Sequence, residues 1–471
     1  MFCKGRLTMK NNNSHDANYW LDSLIIALKA AMYKRTHEYF LKFIWAAVIV
    51  CGTISQWIHA IGDDNRFRKY YHQLARLGYF DDDIQYNYVK WFFDNIERLL
   101  SGACRIVLAG DDTPIKRYGN NIQGCGWNFH QSNGNNDSDK FYGYPLVVLS
   151  LVIEHPINGI ISIPLMSRMY LSEKTLTKIP EKDRPEFKTK LELLMEMVEN
   201  VVEIVKPYNK PIVLLFDRGY VSQNVFEKME QLGVSVITRF KSNVNLYHLP
   251  KNSTEVRRGR PRKYGDKIKL IDVVNNRSYR TKQAMLTLYG REAIVEWKGC
   301  IATSRLTNGN SIRIIVSRIV DVYEDSSGEI VRCEGPWGIF VSTDLTIDAP
   351  FILEQYSRRF SIEEMFKDLK EVCGLGKQQV RTLDTIKGSI GITLMDYTLV
   401  ELWAWDKPTS DLTQNRGVWD DPNRRPSHRN KRQAMQFELK WNEFSSVYAK
   451  DLKPHIIQSL QKYVLETFLT T

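Results

Sequence analysis

Pro211-Ile212-Val213-Leu214-Leu215-Phe216-Asp217-Arg218-Gly219 is the stretch on which the fold turns. Its apolar run has no polar break and stops at a turn signal, the pattern of a strand buried on both faces. Residues 188–206 before it and 222–232 after it have helical periodicity, and 235–240 reads as another strand. Upstream, Arg105-Ile106-Val107-Leu108-Ala109-Gly110 is a second apolar run, ending at a predicted turn, Asp111-Asp112-Thr113-Pro114. Residues 144–154 and 159–170 read as a hairpin joined by His155-Pro156-Ile157-Asn158. Strands alternating with helices predict an α/β core.

Working outward, residues 1–100 read as a helical N-terminal DNA-binding region and 101–240 as the first part of the core. Residues 241–335 are polar and rich in strand formers, and read as an inserted, mostly β subdomain. A strand at 337–342 and a long helix at 349–373 resume the core through 405, and 406–471 form a C-terminal helical region. Residues 43–58 read as a buried core helix, because Gly52, Thr53, Ser55 and Gln56 spoil them as a membrane span.

The chain has 471 residues, 65 Lys+Arg against 54 Asp+Glu, and a net charge of +11. An excess of that size suggests an acidic partner, nucleic acid first. The start lacks a signal-peptide pattern, and the seven cysteines are scattered with no C-x-x-C. Reduced thiols, a cytoplasmic, nucleoid-associated setting and no membrane association are therefore expected. Neither a Walker A sequence nor H-E-x-x-H occurs, so no ATP use is expected.

Two strands thus end in aspartate, at Asp111 (or Asp112) and Asp217. Adjacent strands would bring these carboxylates together, a pair that repels unless it is protonated or binds a cation such as Mg²⁺ or Mn²⁺. Turn or capping roles are the plainer alternative. On the helix at 349–373, Tyr356, Arg359, Glu363 and Lys370 fall within about 60° of arc. A surface helix laced by i,i+4 ion pairs would look the same.

The spacing of these four residues resembles the Y-R-E-K signature of the DDE transposases of bacterial insertion sequences, a cut-and-paste group. Asp111-Asp112-Thr113 resembles the group's D-x-T first acid, and Phe216-Asp217-Arg218-Gly219-Tyr220 its second. Residues 187–193 and 401–405 are also similar to segments recurring in one branch. The resemblance spans most of 100–440. It implies an RNase H-like core with a β insertion, and Asp111, Asp217 and Glu363 as catalytic and metal-binding acids. Asp112 and Glu364 are the neighbours each could be confused with. The 146 residues from Asp217 to Glu363 leave room for an insertion.

The implied activity is metal-dependent cleavage of double-stranded DNA at terminal inverted repeats, then strand transfer into target DNA, with a hairpin on the second strand. Two Mg²⁺ (or Mn²⁺) ions about 3.5–4 Å apart would bridge the scissile phosphate. Tyr356, Arg359 and Lys370 would contact DNA, and a homodimer would hold two ends. Trp337, 26 residues before Glu363, lies where the group carries a base-stacking tryptophan; core packing is its other reading, and Trp297 is a second candidate. Arg257-Arg258-Gly259-Arg260-Pro261-Arg262-Lys263 resembles an AT-hook, implying minor-groove contact by Arg258, Arg260 and Arg262. The basic residues of 65–77, and the cluster Arg424, Arg425, Arg429, Lys431 and Arg432, read equally as DNA contacts or solvated surface. A transposase-derived DNA-binding protein that no longer cuts, and a structure-specific nuclease on the same fold, are the alternative functions.

Overall fold

A computed structural model describes residues 16–119, 121–130, 139–250, 262–276, 278–324, 330–414, 416–417 and 419–448. The chain opens with helices α1 (Ala17–Ala27), α2 (Lys34–Ile49), α3 (Ile54–Ile61), α4 (Phe67–Tyr79) and α5 (Asp81–Ser101). The helix expected across 43–58 is two helices, bent by 103°. The first ends at Ile49, where Val50 turns extended, and the side chains of Thr53 and Gln56 form a capping box that starts α3. Phe43, Ile44, Ile54, Trp57 and Ile58 are buried in the protein. Among the described residues, no single helix is long and apolar enough to cross a membrane.

The first strands are β1 (Ile106–Lys116), β2 (Gly126–His130), β3 (Asp139–His155) and β4 (Gly159–Met169). Helices α6 (Glu173–Leu176) and α7 (Lys190–Val205), strand β5 (Ile212–Phe216), α8 (Gln223–Gln231) and β6 (Val234–Phe240) follow. Next come β7 (Leu246–Tyr247), β8 (Lys267–Ile268), α9 (Leu270–Asn275), β9 (Lys282–Leu288), β10 (Arg291–Ser304), β11 (Ser311–Glu324) and β12 (Ile330–Glu334). The chain ends with β13 (Gly338–Ser342), α10 (Ala349–Arg358), α11 (Ser361–Glu371), α12 (Leu383–Ala404), α13 (Thr409–Leu412) and α14 (His428–Tyr448).

All these strands join one sheet. Its main order is β2-β3-β1-β5-β6-β13-β11-β10-β7-β8, with β4 on β3, β9 on β10 and β12 on β11. Strands β1, β5 and β6 are parallel, while β3 runs antiparallel beside β1 and β4 antiparallel beside β3. Helix α7 covers one face of β3 and α11 packs on β4, β1 and β3. Helix α12 is buried along nearly its whole length, which explains its apolar character all round.

Two local expectations change. Asp111-Asp112-Thr113-Pro114 is not a turn, because β1 continues through it, paired with β3 from Asp111↔Val148 to Lys116↔Gly143. Its parallel pairing with β5 stops at Gly110↔Phe216, so that side of β1 is open where Pro114 sits. A missing N–H is tolerated there. The single helix expected over 349–373 is also broken, after Arg358. Bonds from the N–H of Arg359, Phe360, Ile362 and Glu363 reach back only three residues, a tightened 3₁₀ turn. Ser357 and Ser361 donate their hydroxyls to the carbonyls of Glu354 and Arg358 across the break, which competes with regular helix.

Candidate active site

The register of β1 and β5 creates the site. Gly110 is level with Phe216, so the next residues, Asp111 within β1 and Asp217 just past the end of β5, stand side by side. Alternation along β1 then sends its two aspartates to opposite faces. Asp112 turns toward α7, where its carboxylate takes an ion pair from Lys190 at 2.7 Å and a hydrogen bond from the Tyr220 hydroxyl at 2.9 Å. Asp111 turns toward α10 and α11.

The turn between α10 and α11 supplies the other groups. Arg359 places Nη1 2.6 Å from Asp111 Oδ2 and Nη2 3.0 Å from Glu363 Oε1. Tyr356 donates its hydroxyl to Asp217 Oδ1 at 3.4 Å, and its ring packs on Phe340 and under the Arg359 guanidinium. Asp111, Asp217, Tyr356, Arg359 and Glu363 therefore meet although the helix carrying the last three is broken. Glu363 is the most open, its side chain 46% exposed against 19% for Asp111 and 13% for Arg359.

Burial pushes the Asp111 carboxyl up to about 6, despite the opposing pull of Arg359. Burial also pushes the Tyr356 phenol up to about 12. Burial disfavours the charge on Arg359, but Asp111, Tyr356 and Glu363 outweigh it and hold the guanidinium more firmly protonated than usual. Its Nε is buried without a hydrogen-bond partner.

Among the described residues, no three His, Cys, Asp or Glu side chains stand close enough to share a metal ion. A cation of the protein's own, Arg359, bridges Asp111 and Glu363 instead. The two carboxylates are thus arranged around positive charge, and carboxylate oxygens are the hard donor type that a divalent cation takes.

The remaining candidates lie elsewhere. Lys370 is beside Lys116. Trp337 precedes β13, half-buried, with the Arg318 guanidinium 4.6 Å from its ring centroid. Trp297 is buried in β10, which removes it as a free stacking surface. Arg258 and Arg260 lie outside the described residues. Arg262 is exposed ahead of β8, at the far end of the sheet order from β2 and β3. The C-terminal basic cluster needs a correction. Lys431 and Arg432 are neither DNA-facing nor solvated, because α14 packs on α12 and buries them against Glu401 and Asp396. Lys190 was not a sequence candidate: nothing near it in the chain marks a partner 78 residues away.

Residues 188–399 match the family model described as the transposase DDE domain. The match covers Asp217, Tyr356, Arg359, Glu363 and Lys370, and starts after Asp111. Over that segment the chain is similar to the transposase DDE domain, which supports a DDE transposase family. No curated protein matches the chain.

Proposed function

We propose that the chain is a DDE-type DNA transposase that cuts DNA at the ends of a mobile element and joins those ends to a target by a cut-and-paste route. The observation that carries this reading is the meeting of Asp111, Asp217 and the Arg359–Glu363 pair at one sheet end. The order β4-β3-β1-β5-β6, antiparallel up to β1 and parallel after it, supports an RNase H-like core. Asp111, Asp217 and Glu363 would hold Mg²⁺ or Mn²⁺, whose chemistry when bound is to polarise the scissile phosphate and activate the attacking oxygen.

The chain's own groups do the rest. Arg359, which holds Asp111 and Glu363 through its two terminal nitrogens, would turn its guanidinium fork to phosphate oxygens once those carboxylates hold metal. Tyr356 fixes the orientation of the Asp217 carboxylate. Asp112, held by Lys190 and Tyr220, ties β1 to the turn after Asp217 and so sets the spacing of the two acids. Joining two ends calls for two sites, hence a homodimer on DNA.

The test is a linear DNA carrying the gene's own flanks, incubated with Mg²⁺ and either wild type or Glu363→Gln. Cuts at the repeat ends by wild type alone are expected. DNA bound but uncut by both proteins would point to a non-cleaving binder. Cutting unrelated to the ends would point to a nuclease.

A further inference from the structure

The ribbon of β2 and β3 runs on past the carboxyl end of β1 and carries an exposed aromatic face. Trp127 pairs with Tyr142, and Phe129 with Lys140. Residues directly opposite in a ladder share a face. Trp127 is 71% exposed and Phe129 64%. The Lys140 ammonium lies 5.4 Å from the Phe129 ring centroid, and the Trp127 and Tyr142 rings meet edge to face at 5.7 Å. The reverse face is anchored. Phe141 is buried, Asn128 donates to the carbonyls of Gly126 and Gly143, and Gly126 packs so tightly on Thr175 that a Cβ there would come within 2.4 Å.

This aromatic face continues the candidate site. Tyr142 has the same parity along β3 as Val148, the partner of Asp111, so the aromatics leave the sheet on the side of Asp111 and α11. On that side lies Lys370, near in charge to the exposed Lys116, which alternation puts on the Asp112 face at the end of β1. Lys370 is half-buried, and burial together with repulsion from Lys116 lowers its pKa. Five residues of strand separate Asp111 from Lys116, about 16 Å, and Phe129 lies about 10 Å beyond. Acids, then Lys370, then flat rings with Lys140 follow one line.

We propose that Trp127 and Phe129, flanked by Lys370 and Lys140, form a stacking surface for the bases of the DNA strand that leads away from the cut. This rests on the transposase reading. Aromatic faces accept any base, and lysines beside them accept phosphates. The lysines argue against a second copy of the chain as occupant, because lysine is depleted at protein–protein interfaces. The bases that stack there are unpaired ones; for a strand that keeps about 3.4 Å per nucleotide, the lysines reach about five positions from the cleaved bond and the rings about eight.

The test uses the full chain and its own flanking DNA, with single thymines replaced by 5-iododeoxyuridine, which cross-links on illumination to rings it stacks against. Cross-links to the peptide containing Trp127 and Phe129, from substitutions about five to eight positions from the cut, are expected. Trp127→Ala/Phe129→Ala, both exposed, should keep the wild-type melting temperature and bind the flanks about tenfold more weakly. Unchanged affinity with no cross-link, while wild type still cuts, would overturn this surface alone. Failure of wild type to bind the flanks would overturn it together with the transposase reading. A double variant that turns a DNA-free dimer into a monomer, with no cross-link, would reassign the face to subunit contact and also overturn the proposal.

Discussion

At the scale of single residues, the two neighbouring aspartates separate cleanly because β1 alternates. Asp111 sits among Arg359, Glu363 and Asp217, whereas both Asp112 oxygens are taken by Lys190 and Tyr220. Asp111→Asn should abolish cleavage without lowering the melting temperature, since burial already disfavours its charge. Asp112→Asn should retain measurable cleavage but lose about 1 kcal/mol of stability, as a partly exposed ion pair goes. Parallel unfolding curves and cleavage rates check both, and the reverse pattern would exchange their roles. Arg359 permits a sharper test. It competes as a cation for the carboxylates that would hold metal, so Arg359→Gln should bind Mn²⁺ more tightly than wild type without DNA. Titration followed by electron paramagnetic resonance measures this, and weaker binding would mean that Arg359 positions the acids rather than competing for them.

At the scale of elements, the sequence was most legible where periodicity ran unbroken. The strand ending at Phe216 and the helix at 190–205 are where their apolar patterns put them. It was least legible where packing overrode local signals. Pro114 looked like a turn because its strand partner, Pro145, lies far along the chain. The break after Arg358 was hidden because it holds no Gly or Pro, and it is marked by three-residue backbone bonds and by the hydroxyl back-bonds of Ser357 and Ser361. Helix α4, basic along its exposed side, sits against α12 through two glycines. A Cβ on Gly388 would come within 2.4 Å of the Leu74 carbonyl, and one on Gly78 would collide with the Asp384 carbonyl. Helix propensity says that Gly388→Ala stabilises by about 1 kcal/mol. The crossing says that it destabilises, by about 1–3 kcal/mol of overpacking. Urea unfolding decides on sign alone, and a gain in stability would mean that α4 and α12 can part without cost.

At the scale of the whole molecule, ion pairs between distant segments join the C-terminal helix to the rest, and composition could not reveal them. Lys431 and Arg432 looked like part of a surface cluster because their partners lie on α12, some thirty residues earlier. Glu401 places Oε2 2.6 Å from Lys431 Nζ and Oε1 2.7 Å from His428 Nδ1, with all three side chains buried. His428 also touches Cys373, just past α11, so one polar cluster joins α11, α12 and α14. Burial alone would raise the Glu401 pKa, but Lys431 and His428 overcome it and hold the carboxyl at about 2, below its ordinary 4.5. A carboxylate depressed in the folded state contributes its stability above the unfolded pKa and loses it as pH falls through the folded one. The contribution should be complete above about pH 4.5 and vanish toward pH 2. Melting temperatures of wild type and Glu401→Gln should therefore differ most at pH 6 and converge as acid is added. A gap that stays constant from pH 6 to pH 2 would mean that Glu401 acts by shape and hydrogen bonding rather than by charge. The link between α12 and α14 would then not be a source of acid lability.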